Sequence, residues 1–157
     1  MQADYVEVEG ARILVHRWGD GDGHPVLFWH GGGGASGEIP RLAPFLAEAG
    51  HSVYAPDAPG YGGSPALRAS AYRPSALAEL AARLIENLGI APAVWIGSSW
   101  GASIGMHTAA RFPTRIRALA LLDGEYMDAS DDPDYDPFLD LDARTADLHA
   151  RAERGES

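Results

Sequence analysis

In Ala93-Val94-Trp95-Ile96-Gly97-Ser98-Ser99-Trp100-Gly101, an apolar run passes directly into the pattern G-x-S-x-G, and this junction indicates the class of fold. Residues 93–96 are typical of a buried strand and residues from about 99 to 112 of a helix, so the pattern falls on a strand-to-helix turn. Such a turn raises the serine hydroxyl above the end of the sheet, and the flanking glycines remove side chains that would clash. The helix N-terminus behind the serine favours developing negative charge. Ser99 is therefore a candidate nucleophile.

The segments before and after this stretch alternate between strands and helices. Residues 5–9 and 12–18 are β-prone runs joined at Gly10-Ala11, which predicts an antiparallel hairpin. The other predicted strands are 25–29, 51–55, 93–96 and 116–122, and the predicted helices are 39–49, 74–88 and 99–112. Strands that alternate with helices imply a parallel sheet with right-handed crossovers. We therefore expect an α/β fold: a mostly parallel sheet of about six strands with helices on both faces, starting with an N-terminal antiparallel hairpin.

A second motif, Trp29-His30-Gly31-Gly32-Gly33-Gly34, closes the apolar strand at 25–29. A glycine run lets backbone N–H groups approach a substrate closely, as stabilisation of an oxyanion in acyl transfer requires. A flexible glycine turn and a phosphate-binding loop are the alternatives. The chain has no lysine and no G-x-x-x-x-G-K-[ST] pattern, which disfavours nucleotide binding.

The two motifs, with Asp57-Ala58-Pro59-Gly60-Tyr61-Gly62-Gly63-Ser64 between them, resemble the α/β-hydrolase superfamily. The resemblance covers roughly residues 10–125, and Ser99-Trp100-Gly101 is similar to the elbow of proline iminopeptidases and esterase-like serine hydrolases. It implies that the N–H groups of Gly32 and Trp100 form an oxyanion hole. It further implies that Ser99 forms an acyl-enzyme with a small ester or amide substrate, and that no cofactor is needed.

The catalytic triad of this superfamily also needs an acid and a histidine, which lie on loops after later strands. Only residues 123–157 follow the sixth predicted strand, whereas each missing strand and helix unit needs on the order of 30 residues. We therefore expect a truncated form of the fold. Residues 1–124 would form its core, and residues 125–157 an acidic loop and a polar helix that resemble the start of a lid.

Asp123 and His149 are the candidates for the missing acid and base. Asp123 directly follows the sixth strand, where some members of the superfamily place the acid, although an aspartate there also commonly forms a turn. His149 is the only histidine beyond the elbow and its helix, whereas the resemblance gives His30 a structural role in the glycine loop. The run Asp132-x-Asp134-x-Asp136 has the spacing of a calcium-binding loop. It is not expected to bind calcium, because Pro137 stands where such a loop requires glycine.

The acidic composition of the chain restricts the kinds of partner that it is expected to bind. The net charge is −10, of which residues 123–157 carry −9, and this disfavours nucleic acid and anionic membranes. Because the first residues lack a signal-peptide pattern and no apolar run is long enough to span a bilayer, we expect a soluble cytoplasmic protein. The resemblance implies a small acyl substrate as its partner. An unpaired sheet edge would also favour self-association. Two further functions remain open: a non-catalytic remnant that binds acyl-type ligands, and a fragment that takes its base from another chain.

Overall fold

The computed structural model describes residues 1–36 and 39–124. Short 3₁₀ helices at Ala69–Tyr72 and Pro113–Arg115 supplement the regular elements. The strands and helices, in chain order, are β1 (Gln2–Val8), β2 (Ala11–Trp18), β3 (Val26–Trp29), α1 (Ala43–Glu48), β4 (Val53–Pro56), α2 (Pro74–Asn87), β5 (Ala93–Ser98), α3 (Trp100–Arg111) and β6 (Ile116–Leu122).

The six strands form one mixed sheet in the order β1-β2-β4-β3-β5-β6. Strands β4, β3, β5 and β6 are mutually parallel, whereas β1 pairs antiparallel with β2, and β2 antiparallel with β4. The predicted α/β class and the N-terminal hairpin are thereby confirmed. Because parallel strands all end at the same edge of a sheet, the loops after β3, β4, β5 and β6 meet there.

Helices cover both faces of the sheet, because successive side chains of β3 belong alternately to two buried clusters. Leu27 and Trp29 belong to a buried cluster that includes the apolar sides of α2 and α3. Val26 and Phe28 belong to a second cluster on the opposite face, which includes Ala43 of α1. Successive side chains of a strand point to opposite faces, so a continuous apolar run is what a strand covered on both faces requires.

Several predicted boundaries were wrong, and the first predicted strand, at residues 5–9, is Gln2–Val8. The helix predicted at residues 39–49 is confined to Ala43–Glu48, and the residues before it form successive turns. A helix beginning at residue 39 would place Pro44 in its interior, where proline lacks the N–H that bonds the carbonyl of residue 40. In α1, Pro44 lies in the first turn, where that loss costs little. The strand predicted at residues 51–55 is Val53–Pro56. Ser99 is not helical but precedes α3 as its N-cap.

The proposed second region, residues 125–157, lies outside the described residues, and His149 and the acidic run at 132–136 lie there with it. Within residues 1–36 and 39–124, no helix is long and apolar enough to cross a membrane.

Candidate active site

Ser99 occupies a strained turn between β5 and α3. Its backbone has φ 47° and ψ −112°, a conformation that non-glycine residues rarely adopt, and its side chain is exposed. A hydrogen bond of 2.8 Å from the Ser99 N–H to the Leu122 carbonyl holds the turn against the end of β6. Strain of this kind costs about 1–3 kcal/mol and persists only where the surroundings enforce it. The sequence-predicted elbow is therefore present in the geometry.

The glycines on either side of Ser99 allow β5, α3 and the end of β3 to touch. A Cβ added to Gly97 would collide with the Gly101 carbonyl, and one added to Gly101 would collide with the Trp29 carbonyl. These neighbours are backbone atoms, which cannot move aside as a flexible side chain can. The G-x-S-x-G pattern is thus required by packing as well as by the turn itself.

The glycine loop after β3 lies directly beside the elbow. A Cβ built on Gly31 would lie 3.5 Å from the Ser99 Cβ, and one built on Gly32 would lie 3.9 Å from the Trp100 Cβ. Gly32 is exposed, and Trp100 is the first residue of α3, whose opening amides are directed out of the helix N-terminus. The structure therefore brings together Ser99, Gly32 and Trp100, the three residues that the sequence assigned to one site.

His30 connects the glycine loop to the loop after β4. Its fully buried ring accepts a hydrogen bond of 2.9 Å at Nε2 from the Ala58 N–H. Because an amide can only donate, Nε2 carries no proton, and Nδ1–H donates to the Gly31 carbonyl at 2.7 Å. Both ring nitrogens are engaged, so His30 holds the loop and is not available as a base.

Asp57 organises the same region from the end of β4. Its buried carboxylate accepts hydrogen bonds from the N–H groups of Ser36 at 2.8 Å and Gly63 at 2.9 Å, and His16 Nε2 lies 3.6 Å away. Burial alone would raise the pKa of Asp57, but the hydrogen bonds from Gly63 and Ser36 and the field of His16 together lower it. Asp57 therefore acts as an ionised acceptor that stabilises the loops after β3 and β4.

Asp123 lies next to the elbow through the end of β6. It follows Leu122, whose carbonyl accepts the Ser99 N–H, and its backbone has φ 51°. A Cβ built on Gly124 would lie 3.5 Å from the Ser99 carbonyl oxygen. The exposed Asp123 is thus adjacent in space to the predicted nucleophile.

The other described histidines are placed away from Ser99. His24 and His51 precede β3 and β4, at the edge where these parallel strands begin, and His51 Nδ1 lies 2.8 Å from the His24 carbonyl. His107 is buried on α3, eight residues beyond Ser99 and so about 12 Å along the helix axis. With His16 beside Asp57, no histidine of residues 1–36 and 39–124 is placed as a base for Ser99.

An aromatic cluster next to the glycine loop was not predicted from the sequence. The ring of Tyr61 lies edge-on to His30, with 5.1 Å between centroids, and 5.8 Å from Trp100. The pKa of Tyr61 is raised. Burial and the neighbouring Tyr72 raise this pKa by more than a hydrogen bond with the backbone of Gly33 lowers it. The sequence feature that could have predicted this cluster is the tyrosine at position 61, within the glycine-rich segment 57–64.

Among residues 1–36 and 39–124, no group of three His, Asp or Glu residues is placed to hold a metal ion.

Family comparison agrees with this fold. The model of the alpha/beta hydrolase fold family matches residues 24–153, which is most of the chain. The protein belongs to the alpha/beta hydrolase fold family.

Similar proteins catalyse several hydrolytic reactions. The chain is 34% identical over 125 residues to epoxide hydrolase A of Mycobacterium tuberculosis and 32% identical over 126 residues to the 2-hydroxy-6-oxononadienedioate/2-hydroxy-6-oxononatrienedioate hydrolase of Burkholderia vietnamiensis. These matches cover 74% and 76% of the chain but only 37% and 44% of the relatives. The chain therefore spans less than half the length of these two curated relatives.

Solved structures show the same partial correspondence. Epoxide hydrolase VrEH1 from Vigna radiata superposes with a TM-score of 0.75 at 29% identity, covering 80% of this chain and 39% of that one. The thioesterase domain from the curacin biosynthetic pathway superposes with a TM-score of 0.72 at 29% identity, covering 79% and 46%. The described fold thus matches less than half of each of these two longer chains.

Proposed function

We propose that this chain carries the nucleophile and oxyanion hole of a serine hydrolase that acts on small ester, amide or related acyl substrates. One observation carries the proposal: an exposed Ser99 at φ 47° lies beside Gly32 and Trp100, at the N-terminus of α3. Backbone donors aimed at a developing oxyanion supply a large share of the rate enhancement in acyl transfer. The helix N-terminus adds a favourable potential for the same charge.

In the proposed reaction, the Ser99 Oγ attacks the substrate carbonyl carbon as a base removes its proton. The carbonyl π bond opens, and the N–H groups of Gly32 and Trp100 stabilise the resulting oxyanion. The carbonyl re-forms when the bond to the leaving group breaks, and the base returns the proton to that group. Water then repeats the sequence on the acyl-enzyme and releases a carboxylic acid and free Ser99.

The identity of residue 99 separates this proposal from epoxide opening, the chemistry named for one of the relatives. If the Ser99 Oγ attacked an epoxide carbon, a C–O bond of the ring would break and an ether would form. An ether offers water no carbonyl to attack, so the protein would not be regenerated. An acyl-serine is an ester, which water hydrolyses, and serine is the residue of choice for that intermediate. We therefore favour a carbonyl substrate over an epoxide.

A fluorophosphonate probe tests the nucleophile. We expect intact-protein mass spectrometry to show one covalent adduct, and peptide mapping to place it on Ser99. The Ser99→Ala variant should show none, whereas the matched variant Ser98→Ala, which removes the neighbouring hydroxyl, should react as the wild type does. Equal reaction of wild type and Ser99→Ala would refute the proposal.

We propose Asp123 as the acid and His149 as the base. Support for Asp123 is its position beside the elbow, and His149 is the only histidine beyond α3. His149→Ala should then slow probe labelling strongly, and added imidazole should restore part of the rate. If His149→Ala has no effect but imidazole accelerates the wild type, this chain does not supply the base.

A binding module without turnover is the alternative function. It is favoured by the absence of a suitably placed histidine among the described residues. In that case acyl-type ligands would bind with no hydrolysis and imidazole would not promote labelling. Ester hydrolysis that disappears in Ser99→Ala would exclude this alternative.

A further inference from the structure

Two tryptophans stack beneath the candidate site. Trp29 ends β3 and Trp95 lies in the middle of β5, and their rings are 5.5 Å apart between centroids with an interplanar angle of 12°. Both side chains are fully buried in the same core cluster. Trp29 directly precedes His30 and the glycine loop, and Trp95 lies four residues before Ser99. The stack therefore connects the strands that lead to the two halves of the site.

The two indole groups have different hydrogen-bond states. The Trp95 Nε1–H donates to the Gly101 carbonyl at 3.0 Å, in the first turn of α3. The Trp29 Nε1 is buried with no hydrogen-bond partner in the described part of the chain. Tryptophan N–H groups usually find an acceptor when they are buried, so Trp29 contributes packing whereas Trp95 also makes a directional contact.

Glycines in α3 make room for this contact. A Cβ on Gly105 would collide with the Trp95 indole, and a Cβ on Gly101 would collide with the Trp29 carbonyl and approach the His30 carbonyl to 2.7 Å. The first turn of α3 is therefore pressed against the backbone that leads into the glycine loop. The Trp95 indole N–H donates its hydrogen bond to Gly101, the same residue that lies against the carbonyls of Trp29 and His30.

We propose that Trp95 is a positioning residue, which sets the separation of Ser99 and the Gly32 amide by fixing Gly101 against the end of β3. This inference rests on the proposed function. Misplacement of a reacting group by about 1 Å can reduce a rate on the order of a hundredfold, so one buried hydrogen bond at this point affects catalysis. The indole acts through Gly101 and touches no reacting atom.

An isosteric substitution separates the hydrogen bond from the packing. β-(3-Benzothienyl)alanine retains the shape of tryptophan but replaces the indole N–H with sulfur. Incorporated at position 95, it should lower the maximal rate of fluorophosphonate inactivation about tenfold without changing the half-saturating probe concentration. The same replacement at position 29 is the matched control, because it removes an N–H that makes no hydrogen bond; it should leave both parameters unchanged. Equal kinetics in the two variants would overturn the inference.

Nuclear magnetic resonance gives a result that does not depend on reactivity. In wild-type protein the Trp95 indole proton should exchange with solvent more slowly than that of Trp18. In the variant with the replacement at position 95, the amide resonances of Gly32 and Trp100 should shift, whereas the replacement at position 29 should leave the Trp100 resonance in place. If the wild type does not react with the probe, the proposed function fails, and these resonances alone decide the inference. A rapidly exchanging Trp95 indole proton, or unchanged Gly32 and Trp100 resonances, would refute it.

Discussion

At the residue scale, Ser99 and its flanking glycines depend on one another. The positive φ of Ser99 is unfavourable for any side chain other than hydrogen, so the structure must compensate for it through neighbouring contacts. These contacts include the bond from Ser99 to Leu122 and the close approach of Gly97 and Gly101 to backbone atoms. A change at either glycine should therefore disturb the elbow although it leaves the hydroxyl in place.

Gly101→Ala should destabilise the fold by about 1–3 kcal/mol, because the new methyl group would overlap the Trp29 carbonyl. Chemical denaturation monitored by circular dichroism measures the loss. Gly32→Ala is the control for stability, since its Cβ would meet only the Trp100 Cβ, at 3.9 Å. Equal unfolding midpoints for the two variants would contradict the packing described for α3.

Asp57 makes stability depend on pH at the acidic end. The pKa of its carboxyl is lowered in the folded protein from the ordinary value of 3.8, so its contribution is fully present above that value. It is lost as the pH falls through the lower, folded-state pKa. Asp57→Asn should therefore be less stable than the wild type at neutral pH, and the difference should shrink below about pH 4. A difference that stays constant down to pH 2 would show that the ionised form makes no special contribution.

At the scale of elements, the loops that follow β3 and β4 form one unit through His30. His30 binds the Gly31 carbonyl in one loop and the Ala58 N–H in the other, and the Tyr61 ring packs against it. The glycine loop has few side chains of its own with which to pack. Its conformation therefore depends on a buried residue at its start and on the neighbouring loop.

His30→Ala should cost about 1–3 kcal/mol for each buried group that it leaves without a partner. It should also slow fluorophosphonate labelling, because the glycine loop would no longer be held beside Ser99. His51→Ala is the matched control, since it also removes an imidazole hydrogen-bonded to a carbonyl, but at the opposite edge of the sheet. A His30→Ala variant with wild-type stability and labelling rate would exclude the connecting role.

The elements themselves were predicted well where local pattern and burial agree. Continuous apolar runs identified β3 and β5, and helical spacing identified α2 to within one residue of its end. The start of α1 was wrong because apolar residues at 39 and 42 continue the helical spacing although the chain there forms turns. The spacing of apolar residues indicates which side chains are buried. Because side chains in turns are also buried, this spacing does not show where a helix begins.

Only the part of the candidate site that lies in local sequence motifs was predicted. Ser99, Gly32 and Trp100 belong to motifs with a local signature, and the structure brings them together. The stack of Trp29 and Trp95 joins residues far apart in sequence, so it follows from strand order and not from any local pattern. Contacts between separate strands required the three-dimensional fold before they could be recognised.

At the scale of the whole molecule, β6 is an edge strand of the described sheet. It pairs with β5 on one side, and Leu119, Leu121 and Leu122 are exposed by 38%, 39% and 50%. An edge strand with exposed apolar side chains offers unpaired backbone groups to another strand. We therefore propose that this edge mediates self-association of the chain.

Light scattering over a range of protein concentrations should show a rise in average mass. Changing Leu119 and Leu121 together to lysine should shift this rise to higher concentration, because charges on an edge strand oppose pairing. Phe45→Lys, at an apolar side chain that is 69% exposed on α1, is the matched control and should leave the association unchanged. A monomer at every concentration would contradict the proposal.

The proposed function depends on acylation of Ser99. Its most direct measurement is mass mapping of the protein after brief exposure to p-nitrophenyl acetate, with and without imidazole, at a pH where free serine is unreactive. We predict a single acetyl group on the peptide that contains Ser99, and no acetylation of that peptide in Ser99→Ala. An unmodified wild-type protein that also releases no p-nitrophenol under either condition, or acetyl groups spread over other serines while Ser99 remains free, would contradict this role of Ser99.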